Sequence, residues 1–205
     1  MDGRSGSIDS EWRAGYGTVG PLAARKVLDR LDVHCRRFIE LSPFLVLGTS
    51  DAEGRQDVSP RGDPPGFVRI LDDRHLLLPD RPGNNRLDSL GNIAARPDVA
   101  LLFFVPGVDE TLRVNGKAEI TTDAALLAPC AVDGRPPRSG LLIRVEEAFL
   151  HCGKALIRSG LWDPERKVAR KSLPSLGRMI ADQIAGVDAQ AVDTAVADEY
   201  RNELY

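Results

Sequence analysis

Short runs of apolar residues, separated by turn residues, dominate the middle of the chain and predict β-strands. The clearest alternation of apolar and polar positions runs from Glu110 to Thr122. The run from Val99 to Val105 is nearly all apolar and predicts a strand buried on both faces. The remaining predicted strands are the two hairpins over 44–59 and 67–78, and a last strand over 141–150.

Apolar residues recur at helical spacing near both ends of the chain and once in its middle. Pro21 opens one or two amphipathic helices, which end before Pro43. A helix that is capped by Asn84 or Asn85 stops before Pro97. Further helices are predicted over 124–128, 151–162, 173–185 and 189–204. Strands at short intervals with one inserted helix predict a β-barrel with added helices.

The same pattern divides the chain into three parts. Residues 1–20 show no periodicity and predict an N-terminal arm on the surface. Residues 21–164 hold the predicted barrel and its N-terminal helices, and residues 165–205 form a helical tail. A length of 205 residues suits one substantial domain.

Composition narrows the function classes only modestly. The net charge of −3 and the pI of about 5.7 give no overall field that would attract a nucleic acid or an anionic membrane. The N-terminal twenty residues have no apolar segment of the signal-peptide kind, and no long apolar run follows, so we expect a cytoplasmic protein. Three cysteines without paired spacing argue against a disulfide framework.

Two bends rich in proline and glycine carry the sharpest chemical signal. One bend spans 59–66 and holds Arg61, and the other spans 79–86 and ends at Arg86. A guanidinium group matches the oxygens of a phosphate in pairs, and the amides of a helix start after Asn84 would face the same anion. We therefore predict that both bends converge on one anion. The alternative is that these arginines pair with Asp63 and Asp80 and pin the loops.

Further polar residues lie in patterns that allow two readings. Arg113 and Lys117 alternate with apolar residues on the clearest strand, where Lys117 fits a solvated face and Arg113 stays open as a ligand contact. Lys154, Arg158 and Trp162 are four residues apart and would share one helix face. Trp162 would then either stack on a flat ligand or anchor its helix to the barrel or to a second subunit.

The sequence lacks the spacing of a metal site. His34-Cys35 and His151-Cys152 are neighbours whose side chains point in different directions, and no Cys-x-x-Cys or His-x-x-x-His accompanies them. Buried cysteines that act as small apolar residues are the better interpretation. The common phosphate-binding glycine motifs and the Gly-x-Ser-x-Gly elbow are absent from the sequence as well.

Four motifs, at 59–68, 78–90, 112–118 and 151–162, together resemble the pyridoxamine 5′-phosphate oxidase-like family of FMN-binding split barrels, in particular a bacterial branch of it. The resemblance implies a mainly β fold with added helices, a six-stranded antiparallel split β-barrel, in which 21–164 is the FMN-binding domain. It also implies a homodimer with FMN in clefts at the subunit interface. The implied activity is that of an FMN-dependent oxidoreductase on an unidentified small molecule. The alternatives are a non-catalytic flavin- or haem-binding protein of the same fold and, from the anion cradle alone, a hydrolase.

The resemblance also assigns candidate cofactor contacts and no catalytic residue. It places the FMN phosphate at two segments, one around Arg61 and one ending at Arg86. It places the flavin edge near Thr111 and Arg113 and the ring near Asp80. The full set of candidate cofactor-binding residues is Ser59, Arg61, Gly62, Asp63, Asp80, Arg81, Asn84, Asn85, Arg86, Thr111, Arg113, Lys154, Arg158 and Trp162.

Overall fold

The computed structural model describes residues 15–205, so most of the predicted N-terminal arm lies outside the described residues. Residues 15–20 are exposed and belong to no helix or strand. The seven strands are β1 Phe44–Ser50, β2 Gln56–Gly62, β3 Arg69–Ile70, β4 His75–Pro79, β5 Asp98–Phe104, β6 Thr111–Thr121 and β7 Gly140–His151. The α-helices are α1 Pro21–Arg25, α2 Val33–Leu41, α3 Asp88–Ala95, α4 Ala124–Leu127, α5 Lys154–Ser159, α6 Leu176–Gln183 and α7 Ala189–Asn202. Short 3₁₀ helices follow at Ala128–Cys130, Pro164–Arg166 and Arg170–Ser172.

All seven strands form one antiparallel sheet in the order β2-β1-β5-β6-β7-β4-β3. This arrangement confirms the predicted mainly β fold with added helices. It has one strand more than the six expected, because the two-residue strand β3 pairs with β4 and extends the sheet. Strand β2 lies at one edge of the sheet and β3 at the other, and an ion pair from β2 to the residue after β4 links the two sides.

The core fills the inner face of the curved sheet, and α2 packs against it. Alternate residues of the strands point inward, which is why the apolar alternation of the sequence located them. Fully buried side chains from the strands include Leu45, Leu47, Leu76, Leu101, Phe103, Leu112, Val114, Ile143 and Val145. Helix α2 adds Cys35 and Ile39, and Asp32 caps its start by accepting a hydrogen bond from the Cys35 amide at 2.8 Å.

The prediction that β5 is buried on both faces is wrong for the single chain. Val99, Leu101 and Phe103 are buried, whereas Ala100 is exposed and Leu102 is partly exposed. The sequence of β5 is apolar at nearly every position because apolar residues lie on its outer face as well as on its inner face. Residues 15–205 leave that outer face partly open to solvent, as the exposure of Ala100 and Leu102 shows.

The bend predicted over 59–66 is partly regular structure, because β2 continues through Gly62. Pro60 lies opposite Val46 of β1. A proline is tolerated there since β2 is the edge strand, where the missing amide leaves no neighbouring strand without a partner. Arg61 is consequently held by a strand, and only the residues after Gly62 form a loop.

The predicted start of the middle helix is also wrong. Helix α3 begins at Asp88, and the residue before it, Leu87, has a left-handed backbone with φ of 58°. Asn85 is left-handed too, with φ of 56°, and Asn84 accepts a hydrogen bond from the Arg86 amide at 3.1 Å. The asparagines therefore stabilise a turn of their own, as this side chain commonly does, and cap no helix.

The predicted helix over 151–162 is shorter than its apolar spacing suggested. Residue His151 ends β7, α5 begins at Lys154, and Gly160, with φ of 59°, ends the helix. Trp162 therefore lies beyond α5 and does not share a helical face with Lys154.

On β6, Ile120 is 41% exposed because it lies beyond Ala118, the last buried residue of that strand.

The tail forms a helical hairpin. Asp193 of α7 accepts a hydrogen bond from the Gly177 amide of α6 at 2.7 Å. The two backbones approach so closely that a Cβ atom at Gly177 would lie 2.1 Å from the Ala189 carbonyl oxygen. Residues 203–205 then run back to the barrel. Within 15–205, no helix has the length and apolar character needed to cross a membrane.

Candidate functional site

A cleft of about 850 Å³ lies where β2 faces the segment that follows β4. Residues 57–61 and 80–90 form two of its walls, and residues 135–139 form a third. Glu203 and Tyr205, from the end of the chain, complete the lining. Its volume falls within the range of about 300–1,000 Å³ that is usual for small-molecule and cofactor sites.

The first ion pair of the cleft joins Arg61 to Asp80. Arg61 donates from Nη1 to Asp80 Oδ1 at 3.0 Å and from Nε to Ser59 Oγ at 3.3 Å. Both charged side chains line the cleft and keep about a fifth of their surface exposed, 22% for Arg61 and 23% for Asp80. The pair is therefore accessible to a ligand that enters the cleft.

The second ion pair joins Arg81 to Asp63 and is more enclosed. Arg81 Nε donates to Asp63 Oδ2 at 2.6 Å, and the Asp63 side chain is only 2% exposed. The other carboxylate oxygen of Asp63 accepts a hydrogen bond from the Tyr205 hydroxyl at 2.7 Å. The hydrogen bond to Asp63, with burial, raises the pKa of the Tyr205 phenol above its usual value. The Arg81 guanidinium lies 5.6 Å from the Tyr205 ring centroid, within cation–π range.

A third pair lies at the mouth of the cleft. Arg86 donates to Asp88 at 2.7 Å, and both side chains are well exposed, 70% for Arg86 and 47% for Asp88. Arg86 therefore adds positive charge at the rim with little burial. The alternative reading, in which Arg61 and Arg86 pair with Asp63 and Asp80, holds for Arg61, which pairs with Asp80; Arg86 pairs with Asp88 instead, and Arg81 is the partner of Asp63. These pairs leave binding of an anion untested.

Hydroxyl groups line the floor of the cleft beside Arg61. The Oγ atoms of Ser59 and Ser89 are 3.1 Å apart, and Ser89 also contacts Asp57 at 3.5 Å. Ser89 is 4% exposed and lies in the first turn of α3. Sequence reasoning missed Ser89, because it placed the start of this helix at the asparagines. With the helix start placed at Asp88, Ser89 would have been recognised as a first-turn residue that follows the second bend.

Two arginines of the cleft were also missed. Arg135 and Arg138 lie in the glycine- and proline-rich connection before β7, and both are exposed. Within the described part of the chain, neither side chain makes a hydrogen bond or an ion pair. The segment Gly134-Arg135-Pro136-Pro137-Arg138 resembles the two recognised bends in composition, and this was the available signal.

The predicted cofactor residues fall into two groups. One group lines the cleft and consists of Ser59, Arg61, Asp80, Arg81, Asn84, Asn85 and Arg86. Gly62 and Asp63 adjoin it, Gly62 at the end of β2 and Asp63 through Arg81. The other group does not line this cleft and consists of Thr111, Arg113, Lys154, Arg158 and Trp162. A single chain therefore brings together the residues of the two bends and leaves the second group apart.

The second group lies around β6 and α5. Thr111 is 5% exposed, and the Arg113 guanidinium lies 5.3 Å from the centroid of the Phe149 ring. Lys154 and Arg158 are exposed on α5. The indole nitrogen of Trp162 donates to the Val108 carbonyl oxygen at 2.8 Å. This bond ties the segment after α5 to the β5–β6 turn, an anchoring contact of the kind one of the two readings gave Trp162.

The two histidine–cysteine pairs lie on different elements: His34 and Cys35 are in α2, whereas His151 ends β7 and Cys152 follows it. Burial raises the pKa of the Cys35 thiol to about 12. Burial, followed by the charges of Arg113 and Lys26, lowers the pKa of His151, whose Nε2 atom is buried without a hydrogen-bond partner in the described part of the chain. Cys152 beside it is exposed. Among residues 15–205 there is no group of three or more histidine, cysteine, aspartate or glutamate side chains that could hold a metal ion.

Comparisons with solved structures find several similar chains. HupZ of Group A Streptococcus is 19% identical, with a TM-score of 0.49, covering 58% of this chain and 98% of its own. A conserved hypothetical protein of Mycobacterium tuberculosis is 14% identical, with a TM-score of 0.46, covering 71% and 97%. General Stress Protein 26 of Bacillus anthracis is 16% identical, with a TM-score of 0.44, covering 58% and 94%. No curated protein matches the chain.

The sequence itself provides the stronger comparison. The family model of pyridoxamine 5′-phosphate oxidase matches residues 31–152, which is more than half of the chain. The matched region runs from the residue before Asp32, the cap of α2, to the end of β7, so it includes the whole sheet. It contains β2, the segment after β4 and the start of α3, which carry most of the cleft. The chain therefore belongs to the pyridoxamine 5′-phosphate oxidase family and has the split-barrel fold that its sequence motifs implied.

Proposed function

We propose that the protein binds FMN with the phosphate in the cleft of Arg61 and acts as an FMN-dependent oxidoreductase on an unidentified small molecule. The observation that supports this most is the convergence of Arg61, Arg81 and Arg86 with two serine hydroxyls in one cleft of a member of this family. The two arginine bends follow β2 and β4, which are separated by four strands in the sheet, so only the folded chain assembles this set of donors.

The donors of the cleft fit a phosphate. Arg61 and Ser59 offer charged and neutral donors on a strand, and Ser89 offers a second hydroxyl opposite them. Guanidinium groups bind phosphate oxygens in pairs and stay charged at any physiological pH. Asp80 neutralises Arg61 in the free protein, so a phosphate would have to compete with that carboxylate for the guanidinium.

FMN, when bound, would carry the hydride transfer at its flavin ring. The residues of the chain bind and orient: Arg61 and the serines would hold the phosphate, and Arg86 would add charge at the entrance. None of the three histidines lines the cleft, and we assign no catalytic acid or base. Oxidoreduction in this proposal depends on the cofactor and on how the cleft positions it.

A homodimer would bring the second group of candidate residues to the cofactor. On the outer face of the sheet, Val46 pairs with both Pro60 and Leu102, and Leu102 pairs with Arg113. Cross-strand partners project to the same face, so an apolar strip connects a residue lining the cleft to Arg113. This strip includes the partly exposed apolar residues of β5. Packing of two such faces would place Arg113 of a second copy beside the cleft and cover the apolar face.

Purified protein tests the proposal directly. A flavin absorbance spectrum and tight FMN binding are expected, and Arg61→Ala should weaken binding by about ten- to a hundredfold, the loss of a charged hydrogen bond of about 1.5–3 kcal/mol. Arg37→Ala is the matched control, since Arg37 is exposed on α2 and pairs only with Glu40. Unchanged FMN affinity in Arg61→Ala and Arg86→Ala would remove the cleft as the phosphate site. A protein that binds no flavin would remove the whole proposal.

With no catalytic acid or base assigned in the cleft, the second candidate is a flavin- or haem-binding protein of the same fold without turnover, and for haem the usual histidine ligand does not line the cleft. The two functions differ in what happens to bound flavin. Bleaching of the flavin absorbance by NADH, NADPH or an amine substrate, followed by reoxidation, would support the oxidoreductase. A flavin that none of these reduces, or a haem spectrum, would support the binding protein.

A further inference from the structure

The end of the helical tail lines part of the cleft and makes one hydrogen bond to the barrel there, through Tyr205. Residues 203–205 follow α7 and run back to the barrel, where Glu203 and Tyr205 line the cleft. The Tyr205 hydroxyl donates to Asp63 across 142 positions of sequence. The contact joins the last described residue of the chain to the residue directly after β2.

The contact gives the buried carboxylate of Asp63 its second hydrogen-bond donor. One oxygen of Asp63 accepts from Arg81 Nε at 2.6 Å and the other from the Tyr205 hydroxyl at 2.7 Å. The Asp63 side chain is 2% exposed, so water cannot readily replace either partner. Asp63 therefore has a fixed orientation only while both partners are present.

The orientation of Asp63 decides where Arg81 lies. Arg81 lines the cleft. Only its Nε donates to Asp63, and its guanidinium lies over the ring of Tyr205. The Nη groups of Arg81 have no hydrogen-bond acceptor within 15–205. They remain available to an anionic group in the cleft, and a guanidinium that is already fixed loses less conformational entropy on binding.

We propose that Tyr205 is a positioning residue of the ligand cleft: by holding Asp63, it fixes Arg81 for contact with an anionic ligand. The tail is in this view one wall of the binding site. The proposal deepens the proposed function and rests on it for the identity of the ligand, FMN. The contact itself can be tested without any cofactor.

The phenol titration tests the contact in the free protein. The chain has three tyrosines, and the pKa of Tyr205 is raised by its bond to Asp63. A raised pKa means that the contact is complete at neutral pH and is lost only as the pH rises through that pKa. Absorbance at alkaline pH should show one phenol that titrates above the usual value of 10.0, and Tyr205→Phe should remove that phenol.

Ligand affinity tests the positioning role. Tyr205→Phe keeps the ring and removes only the hydroxyl, so we expect FMN binding to weaken by about three- to tenfold and the melting temperature to fall less than in Asp63→Ala, which removes the acceptor of both partners. Tyr200→Phe is the matched control, because Tyr200 is 64% exposed on α7 of the same tail. In an Arg81→Ala background, Tyr205→Phe should have no further effect on affinity, a coupling that a purely structural role of the tail would not produce.

The outcomes separate the contact from the proposed function. A Tyr205 phenol that titrates normally would overturn the proposal, as would unchanged FMN affinity in Tyr205→Phe. Tighter binding in Tyr205→Phe would overturn it too, since the tail would then obstruct the cleft. If the wild-type protein binds no FMN, the proposed function fails by itself. The raised phenol titration, together with faster phenylglyoxal modification of Arg81 in Tyr205→Phe than in wild type, would then still support the positioning role, and an unchanged modification rate would overturn it.

Discussion

Two ion pairs link the end of β2 to the segment after β4, and they differ in their exposure to the cleft. Arg61 and Asp80 each keep about a fifth of their surface exposed, and both line the cleft. Asp63, the partner of Arg81, is 2% exposed and has a second donor in Tyr205. The first pair resembles a surface contact that a ligand can exchange, whereas the second is part of the packed structure.

The difference shows that an ion pair near a ligand site can have either of two roles. The partly exposed Arg61–Asp80 pair is more accessible to water than the pair at Asp63, so an incoming phosphate can replace its carboxylate at lower cost. Breaking an enclosed pair leaves a charge without compensation, which is strongly destabilising. We therefore expect substitutions in the two pairs to affect different properties, stability in one and ligand affinity in the other.

The largest expected effect is on stability, in Asp63→Ala. The change removes the acceptor of Arg81 and of Tyr205 and should lower the free energy of unfolding by about 2–3 kcal/mol. Such a loss corresponds to a fall of about 5–10 °C in melting temperature for a chain of this length. Thermal and denaturant unfolding measure it, with Asp182→Ala as control, since Asp182 pairs with Arg178 at an exposed site on α6.

If Asp63→Ala lowers the free energy of unfolding no more than Asp182→Ala does, the contrast between the two ion pairs of the cleft is wrong. Such a result would mean that the Asp63 carboxylate is solvated in solution and that its pair with Arg81 resembles the exposed one. The proposed positioning role of Tyr205 would then lose its physical basis as well.

Sequence reasoning succeeded where local periodicity and composition determine structure. The alternation on β6 and the turn before β2 are local signals, and both elements form as expected. Arg61 and Arg86 were recognised because proline and glycine around them are visible in the sequence. Convergence of the two bends was predicted from their arginines and strengthened by the family resemblance, and the cleft contains both.

The rest depends on contacts between distant residues. Nothing near Tyr205 in the sequence indicates that its partner is Asp63, and Arg135 and Arg138 lie in a segment that reads as a plain connection. The regular path of β2 through Pro60 follows from its place at the sheet edge, which is a property of topology. The start of α3 was misplaced because asparagine favours turns as well as helix caps.

A smaller effect, on affinity, is expected for Asp80→Ala. Removal of this carboxylate frees Arg61 and should tighten FMN binding by about two- to fivefold, because the phosphate no longer competes for the guanidinium. The stability loss should stay below about 1 kcal/mol. Fluorescence titration with FMN measures the change. Weaker binding would contradict the exchange and would favour a direct contact between Asp80 and the cofactor.

The smallest effect is expected for Arg86→Ala, at the most exposed pair of the cleft. Arg86 is 70% exposed, so its charge is screened by solvent and salt, and its bond to Asp88 adds less than about 0.5 kcal/mol to stability. FMN affinity should fall by less than about twofold, less than in Arg61→Ala, and the difference from wild type should shrink as ionic strength rises to about 1 M. Titrations at low and high salt measure both. A loss of FMN affinity as large as that in Arg61→Ala, and independent of salt, would contradict this prediction. It would mean that Arg86 leaves Asp88 and becomes enclosed around the phosphate. Exposure in the free protein would then not indicate which arginine binds the phosphate most tightly.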